Sequence, residues 1–110
     1  MEIVRAKKNG DTLTVAMQGE IDHCTSNAIR VRIEDLLKAE DIRCLRFDFS
    51  GVSFMDSSGI GMIIGRYKTM AAKKGCVSAF GLSDSVNRLF RMSGLHRIIC
   101  VETGEGKENS

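Results

Sequence analysis

A chain of 110 residues has room for one domain around one core, and 43% hydrophobic with 27% charged residues is ordinary for a globular protein. A formal net charge of +2 is too small to argue by itself for nucleic acid or a membrane surface, and no apolar run approaches the roughly 20 residues of a membrane span. Met1-Glu2-Ile3-Val4-Arg5 has no apolar stretch after a basic start, so it is not a signal peptide, and a cytoplasmic protein without direct nucleic-acid or membrane partners is expected.

In chain order, Ile3 to Lys8 and Thr12 to Gly19 flank Asn9-Gly10, a strong hairpin signal because both residues accept positive φ. Leu13, Val15 and Met17 alternate with polar or small neighbours as a half-buried strand does. Thr25 is a plausible N-cap for a helix carrying Ile29, Ile33, Leu36 and Leu37 and ending near Glu40. Cys44 to Phe49 reads as a central strand. Ser57 to Met70 reads as a helix with Ile60, Ile63, Ile64 and Tyr67 on one stripe, closed by Lys73-Lys74-Gly75. Cys76 to Phe80 is a strand, Asp84 to Met92 a short helix stopped by Gly94, and Ile98 to Val101 a last strand. The polar segment from Thr103 to Ser110 is expected to be a flexible tail, leaving residues 1–102 as the domain.

The order ββαβαβαβ implies an α/β fold: a mixed, mostly parallel β-sheet with helices packed against it and an N-terminal β-hairpin. Sites in such sheets lie at the carboxyl ends of strands. Asp56-Ser57-Ser58 occupies that position, and the Gly19-Glu20-Ile21-Asp22-His23 segment lies on the same rim. The cysteines, Cys24, Cys44, Cys76 and Cys100, are widely spaced with no zinc pattern, and are expected to be reduced, mostly buried thiols. No metal or cofactor is implied.

Ser57 and Ser58 stand at a helix start, where unpaired N–H groups and a partial positive charge suit either a cap or a phosphate. Spacing alone does not choose between those roles, nor between the two serines. Val52, Phe54 and Met55 alternate, so one of Phe54 and Met55 points outward as a docking contact. Asp56 and Asp22 read as turn residues or as recognition groups. Gly59, Gly61 and Gly65 each cost about 1 kcal/mol inside a helix relative to Ala, which suggests close backbone approach to the sheet or a partner. Arg66, Lys68, Lys73 and Lys74 read as a solvated face, His23 and His96 as surface residues, and Met62, Met70 and Met92 as core.

Enzyme motifs are missing. Met55 stands where a G-x-S-x-G elbow needs its first glycine, there is no P-loop, and the glycine spacing does not fit a dinucleotide fingerprint. A receiver domain with Asp48 as acceptor would need an acidic pair and a lysine that are not evident. Asp56-Ser57 also has the dipeptide of a phosphopantetheine carrier, but those are acidic helical bundles.

Gly19-Glu20-Ile21-Asp22, Phe54-Met55-Asp56-Ser57-Ser58-Gly59-Ile60-Gly61, Gly65-Arg66-Tyr67-Lys68, Val86-Asn87-Arg88-Leu89-Phe90 and Met92-Ser93-Gly94-Leu95 together resemble the STAS domain of anti-sigma factor antagonists. The resemblance covers roughly residues 3 to 101 and is strongest to the sporulation branch, the antagonists of the anti-sigma-F factor. It implies a non-enzymatic switch. The unphosphorylated protein binds an anti-sigma factor that is also a serine kinase, freeing the sigma factor. Phosphorylation of the residue after the aspartate, here Ser57, ends the complex, and a PP2C-type phosphatase restores it. Partner contacts are then expected at Asp22, Phe54, Met55, Asp56, Ser58, Gly59 and Gly61.

Overall fold

The computed structural model describes residues 3–102. The elements are β1 (Val4–Asn9), β2 (Thr12–Ile21), α1 (His23–Ala39), β3 (Cys44–Met55), α2 (Ser57–Ala72), β4 (Cys76–Phe80), α3 (Asp84–Ser93), a 3₁₀ turn (Leu95–Arg97) and β5 (Cys100–Glu102). The tail expected from residue 103 lies outside the described residues.

The strands form one five-stranded sheet in sequential order, β1 antiparallel to β2 and every other pair parallel. Parallel crossovers are right-handed, so steps in one direction bring all the helices to one face. Side-chain alternation agrees. Leu13, Val15, Met17, Leu45, Phe47, Phe49, Val77 and Ala79 are buried on the helix side, and Phe49 meets Phe90 of α3 edge-on at 5.4 Å. Thr14, Ala16, Arg46, Asp48, Ser78 and Phe80 occupy the other face and stay partly exposed. Across it Arg46 donates to the Glu102 carboxylate at 2.9 and 3.2 Å, its guanidinium 3.9 Å from the Phe80 ring centre. Asp48 lies mid-strand, accepting from the Ser50 amide and hydroxyl, which removes the receiver-type reading.

Several boundaries differ from expectation for physical reasons. The hairpin loop is Gly10-Asp11, with Asn9 paired to Thr12 and positive φ at Gly10 (65°), as a type II′ turn requires at its first loop position. β3 does not stop at Phe49 but runs through the polar Ser50-Gly51 to Met55. A Cβ on Gly51 would lie 2.9 Å from the Gln18 Cβ and 3.0 Å from the Met17 carbonyl oxygen, so glycine lets the neighbouring strand approach there. The α2 terminus takes its positive φ at Lys74 (61°) rather than Gly75. The last strand starts at Cys100, because residues 95–97 turn as a 3₁₀ helix after the left-handed Gly94.

The cysteines correct the sequence reading. Cys44 and Cys76 are register partners on adjacent strands, with Cα atoms 4.6 Å apart, and are joined by a disulfide. Cys24 and Cys100 are free and exposed, so none of the four is a buried thiol. Met92 is not core either, since it is 78% exposed on α3, whereas Met62 and Met70 are buried.

Candidate functional site

Two strand-to-helix corners sit side by side. Ile21 and Met55, the last residues of β2 and β3, are register partners, and the Asp56 amide donates to the Ile21 carbonyl at 3.2 Å. Asp22 and Asp56 are therefore equivalent positions at the carboxyl ends of neighbouring strands, and each is the N-cap of its helix. Thr25, the expected cap of α1, is instead its N3 residue.

At the first corner the polar groups satisfy one another. The Asp22 carboxylate accepts from the Cys24 and Thr25 amides, each at 3.0 Å, and the Thr25 hydroxyl accepts from the Asp22 amide at 2.8 Å. The proton of that hydroxyl faces the Glu20 carbonyl at 2.9 Å and the Asp22 carboxylate at 3.1 Å. This is a closed capping box. The Thr25 amide, then its hydroxyl, hold the Asp22 carboxyl below its ordinary pKa, because both favour the charged form.

The second corner is simpler. Among the described residues, the Asp56 carboxylate accepts only from the Ser58 amide, at 2.8 Å. With Asp56 as the cap, Ser57 is freed from that role. Its side chain is exposed in the first turn of α2 and makes no hydrogen bond to any described residue. Ser58 is half-buried and faces α1.

A β-bulge aims Phe54. Gly19 pairs with Val52 and Glu20 with Phe54, so Ser53 is an extra residue on β3. Phe54 is thereby turned outward at 49% exposure while Met55 is buried, so the expected outward residue is Phe54. Of the three glycines within α2, only Gly59 is forced by packing. A Cβ there would run into the Cγ of Met55 and lie 2.6 Å from its sulfur and 3.1 Å from a methyl of Ile21. Gly61 and Gly65 have open space at the Cβ position, contrary to a close approach to the sheet.

The solvated-face reading fails for Arg66. It belongs to the stripe of the buried Met62 and Met70, one helical turn away on either side, and that spacing is the sequence signal that places it inside. Its Nε lies 2.7 Å from the Glu34 carboxylate of α1. Burial pulls the Arg66 pKa down, Glu34 opposes this, and the charge of Arg30 lowers it further. Lys68, Lys73 and Lys74 are exposed as expected, as is His23. Among the described residues no group of three His, Cys, Asp or Glu side chains is placed to hold a metal, and no described helix is long and apolar enough to cross a membrane.

Known proteins share this architecture. The STAS domain family model matches residues 4–108. The chain is 34% identical over 93 residues to the anti-sigma F factor antagonist of Paenibacillus polymyxa, covering 84% of this chain and 80% of that one. It is 35% identical over 103 residues to the anti-sigma-B factor antagonist of Listeria monocytogenes, covering 94% and 90%. Among solved structures, the anti-sigma factor antagonist SpoIIAA in its unphosphorylated form matches with a TM-score of 0.81 at 28% identity, over 93% of this chain and 90% of that one. The phosphorylated Bacillus SpoIIAA matches with a TM-score of 0.73 at 27% identity, over 93% of each.

Proposed function

The chain belongs to the STAS domain family, and we propose that within it this protein is an anti-sigma factor antagonist switched by phosphorylation of Ser57. The observation that carries the reading is the second corner, where an exposed hydroxyl with no hydrogen bond to any described residue stands in the first helical turn beside two capping carboxylates. No described side chain is hydrogen-bonded to that hydroxyl as an activating base would be, so it suits a residue that accepts a group from another enzyme rather than one that attacks a substrate. Exposure favours Ser57 over the half-buried Ser58. The existence of a phosphorylated structure of a relative supports the same chemistry.

The partner surface is the rim formed by Asp22, Phe54, Asp56, Ser57 and Ser58. Phe54 supplies an apolar anchor, and the carboxylates set register against a basic partner. Met55, Gly59 and Gly61 support it differently. Met55 and Gly59 pack beneath the corner, and Gly61 leaves the α2 surface flat. A phosphate adds about −1.5 to −2 charge. On a helix N-terminus that charge is tolerated by the fold. In an interface it must be desolvated beside Asp22 and Asp56, which costs several kcal/mol and releases the partner.

The reading extends to a cytoplasmic cycle in which the anti-sigma factor is itself the serine kinase and a PP2C-type phosphatase reverses the modification. The sigma-F branch, controlling sporulation transcription, follows from the motif resemblance. Capture of a sigma-B-type anti-sigma factor would move the chain to that branch and leave the switch unchanged. The test is phosphosite mapping after incubation with the captured kinase and ATP. One phosphate at Ser57, absent from Ser57→Ala, is expected. A phosphate at Ser58, or none, overturns the assignment.

A further inference from the structure

A groove between the N-terminal halves of α1 and α2 holds more positive charge than its surroundings neutralise. Its walls include His23, Asn27 and Arg30 from α1 and Ser58, Met62 and Arg66 from α2, around about 300 Å³. Arg66 is only 8% exposed, and its Nη1 is sealed from solvent with no hydrogen-bond partner among the described residues. Its Nε approaches Glu34 as an ion pair, not in the alignment of a hydrogen bond. Glu34 is also shared with the Thr69 hydroxyl, at 3.2 Å.

Arg30 is held at the groove by Asn27, donating to its Oδ1 at 2.8 and 3.3 Å, and that neutral amide positions the guanidinium without cancelling its charge. Arg30 lines the same groove as Arg66, and its charge lowers the Arg66 pKa. Two guanidinium groups thus line one groove, and only that of Arg66 is paired with a carboxylate. The capping carboxylates of Asp22 and Asp56 are committed to backbone amides at the rim. By helical rise they lie roughly 12 and 15 Å along their own helices from Arg30 and Arg66.

A largely buried guanidinium paired with a single carboxylate is costly, and an oxyanion matches paired guanidinium groups in both charge and geometry. We propose that this groove is a binding site for a phosphate-type oxyanion, held between Arg30 and Arg66 with the Ser58 hydroxyl at its mouth. The site is separate from the phosphorylated residue proposed above, because Ser57 does not line the groove.

Inorganic phosphate is the probe, titrated into the full chain and followed by amide and arginine Nε–H resonances, with sodium chloride at matched ionic strength as control. Saturable shifts confined to residues lining the groove are expected. Arg30→Gln should weaken them roughly tenfold, the loss of a charge-assisted hydrogen-bonding group. Arg30 is exposed, so that variant keeps the fold. Lys74→Gln, at the far end of α2, should leave the affinity unchanged. Shifts that match the chloride control, or that respond equally to Lys74→Gln and Arg30→Gln, overturn the proposal.

Discussion

The corners at Asp22 and Asp56 begin from the same position in the fold and end differently. Both aspartates follow paired strand ends and cap the next helix. At Asp22 a threonine three residues on closes a reciprocal box, so the corner is locked. At Asp56 the N3 residue is Gly59, which has no side chain to reach back, and the Ser57 hydroxyl has no hydrogen bond to any described residue. Gly59 cannot be exchanged cheaply for a residue that would close the box, because the space for its Cβ is taken by Met55 and Ile21. A packing constraint beneath the helix therefore leaves the second corner chemically open. On the proposed reading, one corner is a fixed support and its neighbour the surface that is modified.

The difference is largest at Ser57. Ser57→Asp should weaken partner binding by roughly 100-fold or more, the effect of several kcal/mol of added desolvation, while Tm stays near that of the parent. Binding within threefold of the parent by titration calorimetry would equate the two corners and remove the switch.

Next is the glycine that keeps the second corner open. Gly59→Ala should destabilise by about 1–2 kcal/mol in denaturant titration, overpacking against Met55 outweighing the helical preference for Ala. Gly65→Ala, with open space at its Cβ, should stabilise by up to about 1 kcal/mol. Equal effects would show that packing does not distinguish these glycines.

Smaller effects attend the caps themselves. Asp56→Ala removes one hydrogen bond and should cost about 1 kcal/mol. Asp22→Ala opens a reciprocal box and should lower Tm further. The acid limb separates them again. Thr25 holds the Asp22 carboxyl below its ordinary pKa of 3.8, so its contribution is complete above that value and is lost as pH falls through the lower folded value. Asp22→Asn should flatten the fall of Tm with acid. A residual slope remains from Glu102, whose pKa is lowered by its hydrogen bond to Arg46 and which loses its contribution in the same direction.

Much of the frame is legible in the sequence because it rests on local pattern. The Ile29, Ile33 and Leu37 stripe fixes the buried face of α1, the strand alternation fixes the sheet faces, and Gly94 marks the end of α3. What escapes is non-local. Ser50-Gly51 looks like a turn in one dimension, yet pairing with β2 recruits it into β3. Cys44 and Cys76 are 32 residues apart, and only strand register makes them partners. In the candidate site the serine pair and both aspartates can be picked out. Their division of labour cannot, since it depends on which aspartate caps which helix and on what lies under Gly59. Arg66 was hidden by its charge, although its spacing from Met62 and Met70 places it inside.

The proposed switch is a phosphate on Ser57 that changes what the surface can bury and leaves the fold alone. Its most direct measurement is the amide spectrum and thermal melt of the Ser57-phosphorylated protein beside the unmodified one. Shifts confined to the two corners and the start of α2, with Tm unchanged within about 2 °C, are predicted; a shift of that size is well under 1 kcal/mol for a domain of this length. Shifts spread through the sheet core, or a fall in Tm of about 5 °C or more, would contradict the claim and make the switch a conformational one.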